Sequence, residues 1–186
     1  MDTSELLNEL KRRQVPIAKN RKKGIAHLRS CVFGIAHKRL FGPSFGAAAA
    51  NKHRPDLWAL IKSIPVPISY DSVQVNQNAT AGPHKDKNNV GLSYIMSIGD
   101  YVGGDLVIQA EDGTETSHAL LGTPGLIFDG SCVHWNTPHE GTKYSLIFYT
   151  IEPTANVKAK FGYPDAWRED PRYTQVMEGR AERALG

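Results

Sequence analysis

The sequence predicts a mainly β domain with flanking helices, on three observations. From about residue 66, short runs rich in β-branched and aromatic residues alternate with Gly, Asn, Asp and Pro punctuation. Upstream of that point, apolar residues recur at helical spacing in two places. No apolar run approaches the roughly 18 residues that a membrane-spanning helix needs. At 186 residues, with 40% hydrophobic and 22% charged side chains, the chain fits one domain spanning 1–186. Within it, 1–65 reads as a basic, largely helical N-terminal region, 66–151 as the β core and 152–186 as a C-terminal extension.

Residues 3–13 predict a short helix, because Thr3 or Ser4 can cap it and Leu6, Leu7 and Leu10 form one stripe. Segment 14–54 is mixed. It carries basic clusters (Lys19, Arg21, Lys22, Lys23; Lys38, Arg39), the Gly-rich FGPSFG and a small-residue run at 47–50 compatible with helix. In PDLWALIKSI (55–64), Pro55 suits a first helical position and Leu57, Trp58, Leu60, Ile61 and Ile64 form the buried stripe. The candidate strands are 69–76, 91–98, 104–109, 116–121, 125–129 and 143–151, with GDYVGGDL and AEDGTE as turns. Such close spacing argues for a sandwich or barrel. The tail 164–186 predicts a polar helix, with Tyr173, Val176 and Met177 as anchors.

The formal net charge of +3 conceals an asymmetry. Residues 1–54 hold twelve Lys or Arg against three acids, and the rest of the chain ten against sixteen. A basic segment on an acidic body suggests a face that meets a polyanion; the alternative is an ordinary solvated surface. Two cysteines, Cys31 and Cys132, are too few for a disulfide framework or a thiolate zinc site. The N-terminus is acidic and lacks a long apolar stretch, unlike a secretory signal. The expectation is an intracellular protein, monomeric and with no membrane partner: nuclear in a eukaryote, cytoplasmic in a prokaryote or phage.

One arrangement among seven histidines carries chemistry. His84 and Asp86 stand two positions apart, so extended backbone points both to one side. His134 follows the apolar GLIFDG. Two His and one carboxylate on one face of a metal, the other face open, is the facial triad of non-haem Fe(II) oxygenases. Nine residues beyond His134, Lys143 and Ser145 share a strand face within KYSLIFYT. A cation and a hydroxyl pointing inward form an anchor for a small carboxylate; the alternative is an edge-strand lysine in solvent. His27, His37, His53 and His118 read as ordinary residues, Trp135 as packing beside the metal strand, and Trp58 as core.

PHKDKNN, GDYVGGDL and PGLIFDGSCVHWNTPHEGTKYSLIFYT together resemble the core of the Fe(II)- and 2-oxoglutarate-dependent dioxygenases. VNQNATAGPHKDKNN, RSCVFG and FGPSFGAAAANKHRPDLW are most similar to the TET/JBP branch, which oxidises the 5-methyl group of pyrimidine bases in nucleic acid. The resemblance covers roughly residues 24–151. It implies a double-stranded β-helix (jelly-roll, cupin-like) core. It implies Fe(II) on His84, Asp86 and His134, with 2-oxoglutarate and dioxygen as co-substrates. Lys143, where many members have Arg, would hold the distal carboxylate, with Ser145 assisting. Asn89 would contact a flipped base, although Asn88 and Asn89 also suit a turn. Arg29 would meet the other end of the co-substrate or a phosphate. His139 would line the entrance or lie on the surface. After Tyr149 the sequence, TIEPTANVK, has no histidine where that branch often carries a base-contacting one. The implied reaction is oxidation of 5-methylcytosine in DNA to 5-hydroxymethylcytosine or beyond, the base being flipped into the site. The alternatives are a hydroxylase of a protein side chain or small metabolite on the same scaffold, and a non-catalytic binding module.

Overall fold

Period-two alternation of apolar and polar residues builds the sheets, and period 3.6 builds the helices that cover one of them. The computed structural model describes residues 3–17, 29–38, 44–87 and 89–151. Helix α1 (Ser4–Arg13) buries Leu6 and Leu10, with Glu5 in its first turn and Lys11, Arg12 and Arg13 in its last, the favourable sense for the helix dipole. Thr3 sits at the N-cap but makes no side-chain capping bond there. After β1 (Arg29–Lys38) and β2 (Ser44–Ala47) come α2 (Ala49–His53) and α3 (Pro55–Lys62). Helix α3 opens on Pro55 and buries Leu57 and Ile61.

The remaining strands are β3 (Ser72–Gln77), β4 (Asn89–Gly103), β5 (Leu106–Gln109), β6 (Glu115–His118), β7 (Leu126–Phe128), β8 (Val133–Asn136) and β9 (His139–Ile151). They form a six-stranded sheet, β2-β1-β3-β9-β4-β7, and a three-stranded sheet, β6-β5-β8, with every pairing antiparallel. One face of the large sheet packs on the helices through Phe33, Val73, Val75, Tyr94, Met96, Tyr144, Leu146 and Phe148. The alternate residues point the other way. On β9 these are Ser145, Ile147, Tyr149 and Ile151, and on β3 they are Gln74 and Asn76; all line a cavity. A smaller core of Ile95, Leu106, Leu120 and Phe128 joins the two sheets. The result is a mainly β jelly roll with helices on one side.

Two strands lie where the sequence predicts a largely helical region. β1 extends the large sheet through six register pairs with β3, and β2 pairs with β1 in turn. Basic ends and an internal glycine conceal β1 in the sequence. Gly34 has φ +80° and adopts it where the Asp71 carbonyl leaves no room for a Cβ. β8 is also absent from the expected strands; it is only four residues long and carries polar residues at alternate positions. The strands around GDYVGGDL run longer than expected, so β4 and β9 pair from Asn89 opposite Ile151 to Gly103 opposite His139. Lys19, Arg21, Lys22, Lys23, Arg39, His27, Asn88 and the helix expected within 164–186 lie outside the described residues. Among the described residues, no helix is long and apolar enough to cross a membrane.

Phe148 is fully buried against Tyr70 (centroids 4.9 Å apart) and Tyr94 (5.8 Å). Phe148→Ala should cost about 3–5 kcal/mol of unfolding free energy, read from the urea midpoint at unchanged slope. A loss near zero would remove this ring from the core.

Candidate metal centre

The site begins with a backbone pairing. His84 and His134 face each other in an antiparallel bridge, His84 N–H donating to the His134 carbonyl (3.1 Å) and His134 N–H to that of His84 (2.9 Å). Asn136 N–H to the Ala81 carbonyl (3.0 Å) and Asp86 N–H to the Gly130 carbonyl (2.8 Å) continue the contact. Residues 81–86 thus add a short extended segment to the edge of the small sheet, beside β8. Directly opposed residues put their side chains on one face, and Asp86, two positions on from His84, joins them.

The three side chains converge. His84 Nε2 lies 3.8 Å from Asp86 Oδ1, and His134 Nε2 lies 3.9 Å from Oδ2. The imidazole centroids are 4.3 Å apart, and one donor atom from each residue lies within 4.8 Å of the others. Both carboxylate–imidazole separations fall within twice a metal–ligand bond of about 2.1 Å. Each ring turns its Nδ1 to a carbonyl two residues back: His84 to Gly82 (2.8 Å) and His134 to Cys132 (2.9 Å). Those bonds place the ring proton on Nδ1 and leave the Nε2 lone pairs free toward the centre. Burial raises the Asp86 carboxyl above its ordinary value, while the imidazoles of His134 and His84 act in the opposite sense. One half-buried carboxylate and two imidazole nitrogens converging on a point form a donor set that fits a divalent metal.

The set lines a cavity of about 620 Å³ together with Ile95, Leu106, Phe128, Gln74, Asn76 and Ser145. Ser145 Oγ is 3.2 Å from Ser97 Oγ. On the same face of β9, Lys143 is almost wholly buried and does not itself line the cavity. Its ammonium donates to the Gly104 carbonyl and lies 5.4 Å from the Tyr101 ring centroid. No carboxylate forms a salt bridge with it among the described residues. Desolvation pushes its pKa down to about 8, with Asp105 acting in the opposite sense. Asn78, at φ 53°, pins the Lys143 backbone through its own N–H to the Lys143 carbonyl and the Lys143 N–H to its Oδ1, both 2.8 Å. The Tyr101 hydroxyl is buried, and Ser97 is the side chain it faces. A buried ammonium without a salt bridge among the described residues thus stands next to the cavity wall.

The other expected residues are placed differently. Arg29 donates to the Val15 carbonyl (2.9 Å) and shares a strand face with Cys31 and Phe33, which pack toward the helices. It therefore stands on the helix-facing side of the sheet, across from the cavity. His139 meets Thr80 Oγ1 at 3.5 Å and the Tyr101 ring edge-on at 6.5 Å, and it does not line the cavity. Desolvation and the neighbouring Lys143 lower its pKa. Asn89 lines the cavity, and its amide donates to Asp86 Oδ2 at 2.8 Å. Trp135 lies on the metal strand opposite Val107, on the face away from His134. The sequence reading passed over Gln74, Asn76 and Tyr101. The first two were visible in the alternation of SVQVNQ; Tyr101 was hidden because GDYVGG reads as a turn.

No protein-family model matches the sequence, and no curated protein matches it. Solved structures do. One is NgTET1 in complex with 5mC DNA (TM-score 0.53, 15% identity, 81% of this chain and 69% of that one). Another is an oxidoreductase of the 2OG-Fe(II) oxygenase family from Burkholderia pseudomallei (0.51, 17%, 84% and 82%). A third is a Pseudomonas putida prolyl-4-hydroxylase (0.50, 14%, 81% and 84%). At these identities the likeness is one of fold.

Asp86→Asn should abolish divalent-metal binding in a calorimetric titration, because a neutral amide is a poor ligand. The metal-free variant should melt no lower than the native chain, since the ionised carboxylate is disfavoured by burial. A clearly lower metal-free Tm would contradict that account of the site.

Proposed function

We propose that the chain is an Fe(II)- and 2-oxoglutarate-dependent dioxygenase acting on 5-methylcytosine in DNA. The observation carrying this reading is the convergence of His84, Asp86 and His134 on one cavity that also takes in Ser145, with the buried Lys143, in no salt bridge among the described residues, beside it on the same strand face. In this reading the three ligands hold Fe(II). Lys143 meets the distal carboxylate of 2-oxoglutarate, with Ser145 as a further donor. Iron held there would supply, with 2-oxoglutarate and dioxygen, the oxidation of a substrate C–H bond, succinate and carbon dioxide being the co-products.

The chain's own residues orient and shield. Ile95, Leu106, Phe128 and Ile147 give the cavity an apolar lining that limits water at the reacting carbon. Its volume falls within the roughly 300–1,000 Å³ usual for ligand sites. A methylated base inside a duplex cannot reach this depth, so it must flip out at a cost of a few kcal/mol. Exposed Lys85 and Lys87 flank Asp86, and Lys87 lines the cavity. Together with the basic N-terminal segment they supply charge for phosphates. The fold shared with a 5mC DNA complex supports the DNA substrate. The comparable likeness to a prolyl-4-hydroxylase supports a second reading, a hydroxylase of a protein side chain or small metabolite.

Iron-dependent succinate release should rise with methylated duplex DNA over unmethylated duplex, and DNA affinity should fall with salt. Turnover indifferent to methylated DNA but stimulated by a proline-containing peptide would move the assignment to the second reading. No succinate with any substrate would leave a binding module.

Lys143→Ala, with the size-matched Lys143→Met as a fold control, should raise the 2-oxoglutarate KM by about 10–100-fold, the weight of one lost charge-assisted anchor. In the native chain the KM should stay flat below a pH of about 8 and rise above it. The charged ammonium binds the dicarboxylate, and Lys143 loses its proton through that range. A KM independent of pH, and unaltered in both variants, would place the anchor elsewhere.

A further inference from the structure

The resemblance implies a base contact at Asn89, but the hydrogen bonds of its amide point toward the metal carboxylate. An ionised Asp86 only accepts, so the group 2.8 Å from its Oδ2 must be the Asn89 amide nitrogen. The same nitrogen faces Ser93 Oγ at 3.4 Å, and Ser93 is fully buried. Both amide hydrogens are thus directed to protein groups, and only Oδ1 is left over. From the other side, Gly130 closes on the same carboxylate. A Cβ built on Gly130 would lie 2.8 Å from Asp86 Oδ2, 3.2 Å from its Cβ and 3.4 Å from its Cγ. The Gly130 carbonyl also accepts the Asp86 N–H at 2.8 Å. Oδ2 is therefore held between an amide and a bare stretch of backbone.

We infer that Asn89 is a positioning residue for the metal carboxylate. It fixes the Asp86 carboxylate plane, and Gly130 supplies the space that this orientation requires. The inference rests on the reading of His84, Asp86 and His134 as a divalent-metal site. Partners that orient metal ligands typically matter by about 10–100-fold in affinity. Because Asn89 opens β4, its removal leaves the two hydrophobic cores untouched.

The test is titration of the metal-free chain with Co(II), followed by visible absorption, for the native protein, Asn89→Ala and Gly130→Ala. The metal-free Tm is measured alongside, and Asn89→Val replaces the alanine variant if that one melts early. Both sites should bind Co(II) about 10–100-fold more weakly, with altered ligand-field bands and, for Asn89→Ala, an unchanged metal-free Tm. Co(II) affinity and spectrum equal to native in Asn89→Ala would overturn the inference, and a raised substrate KM alone would return Asn89 to a substrate contact. A native chain that binds no Co(II) would instead remove the metal centre itself, a failure of the underlying reading.

Discussion

The cavity depends on one short antiparallel contact, that between residues 81–86 and 130–136. Only four backbone bonds describe it, yet it sets which way His84, Asp86 and His134 point. Side chains alternate with period two along both partners, so a slip of one residue would send an imidazole to the far face. The neighbouring strands restrain that slip: β8 is held in register by β5, and Ile108 stands opposite His134. Gly130 then gives Asp86 room at the end of the pairing.

Two ionisable groups, the half-buried Asp86 and the buried Lys143, give the cavity its chemical logic. Asp86 and Lys143 each lose solvation, and burial moves each pKa toward the neutral form. Neither is neutralised by a protein salt bridge of the ordinary Lys–carboxylate or Arg–carboxylate kind among the described residues. A cation at the first and an anion near the second would relieve both. Two sites of opposite appetite near one cavity suit a reaction that brings a metal and an anionic co-substrate together. The helix layer takes no part in this chemistry. It holds the large sheet from behind, through Phe33 stacked on Trp58 at 5.7 Å and the buried leucines of α1.

Much of the architecture was legible in local patterns. The alternation in SVQVNQ and KYSLIFYT announced two strands with one apolar face each, and the stripe of PDLWALIKSI announced α3. β1 was not legible, because its pairing with β3 depends on a glycine accommodating a distant carbonyl. The i and i+2 spacing located His84 and Asp86 on one side, and Lys143 and Ser145 on another. Resemblance alone pointed to Arg29, and the sheet turned it toward the helices. Resemblance also pointed to Asn89, which does reach the cavity, but with its amide committed to Asp86.

The sequence by itself determined which residue types were available and on which strand face each would stand, because the pleat fixes alternation locally. It therefore set the candidate metal donors, the inward lysine and the apolar backing of both. Only the tertiary structure decided that His134 lies directly across from His84, that Arg29 lies on the other face of the sheet, and that the Tyr101 ring stands 5.4 Å from the Lys143 ammonium. Those outcomes depend on pairing between segments far apart in the chain. Pairing is chosen by the summed packing of both sheets, which no local window of residues contains.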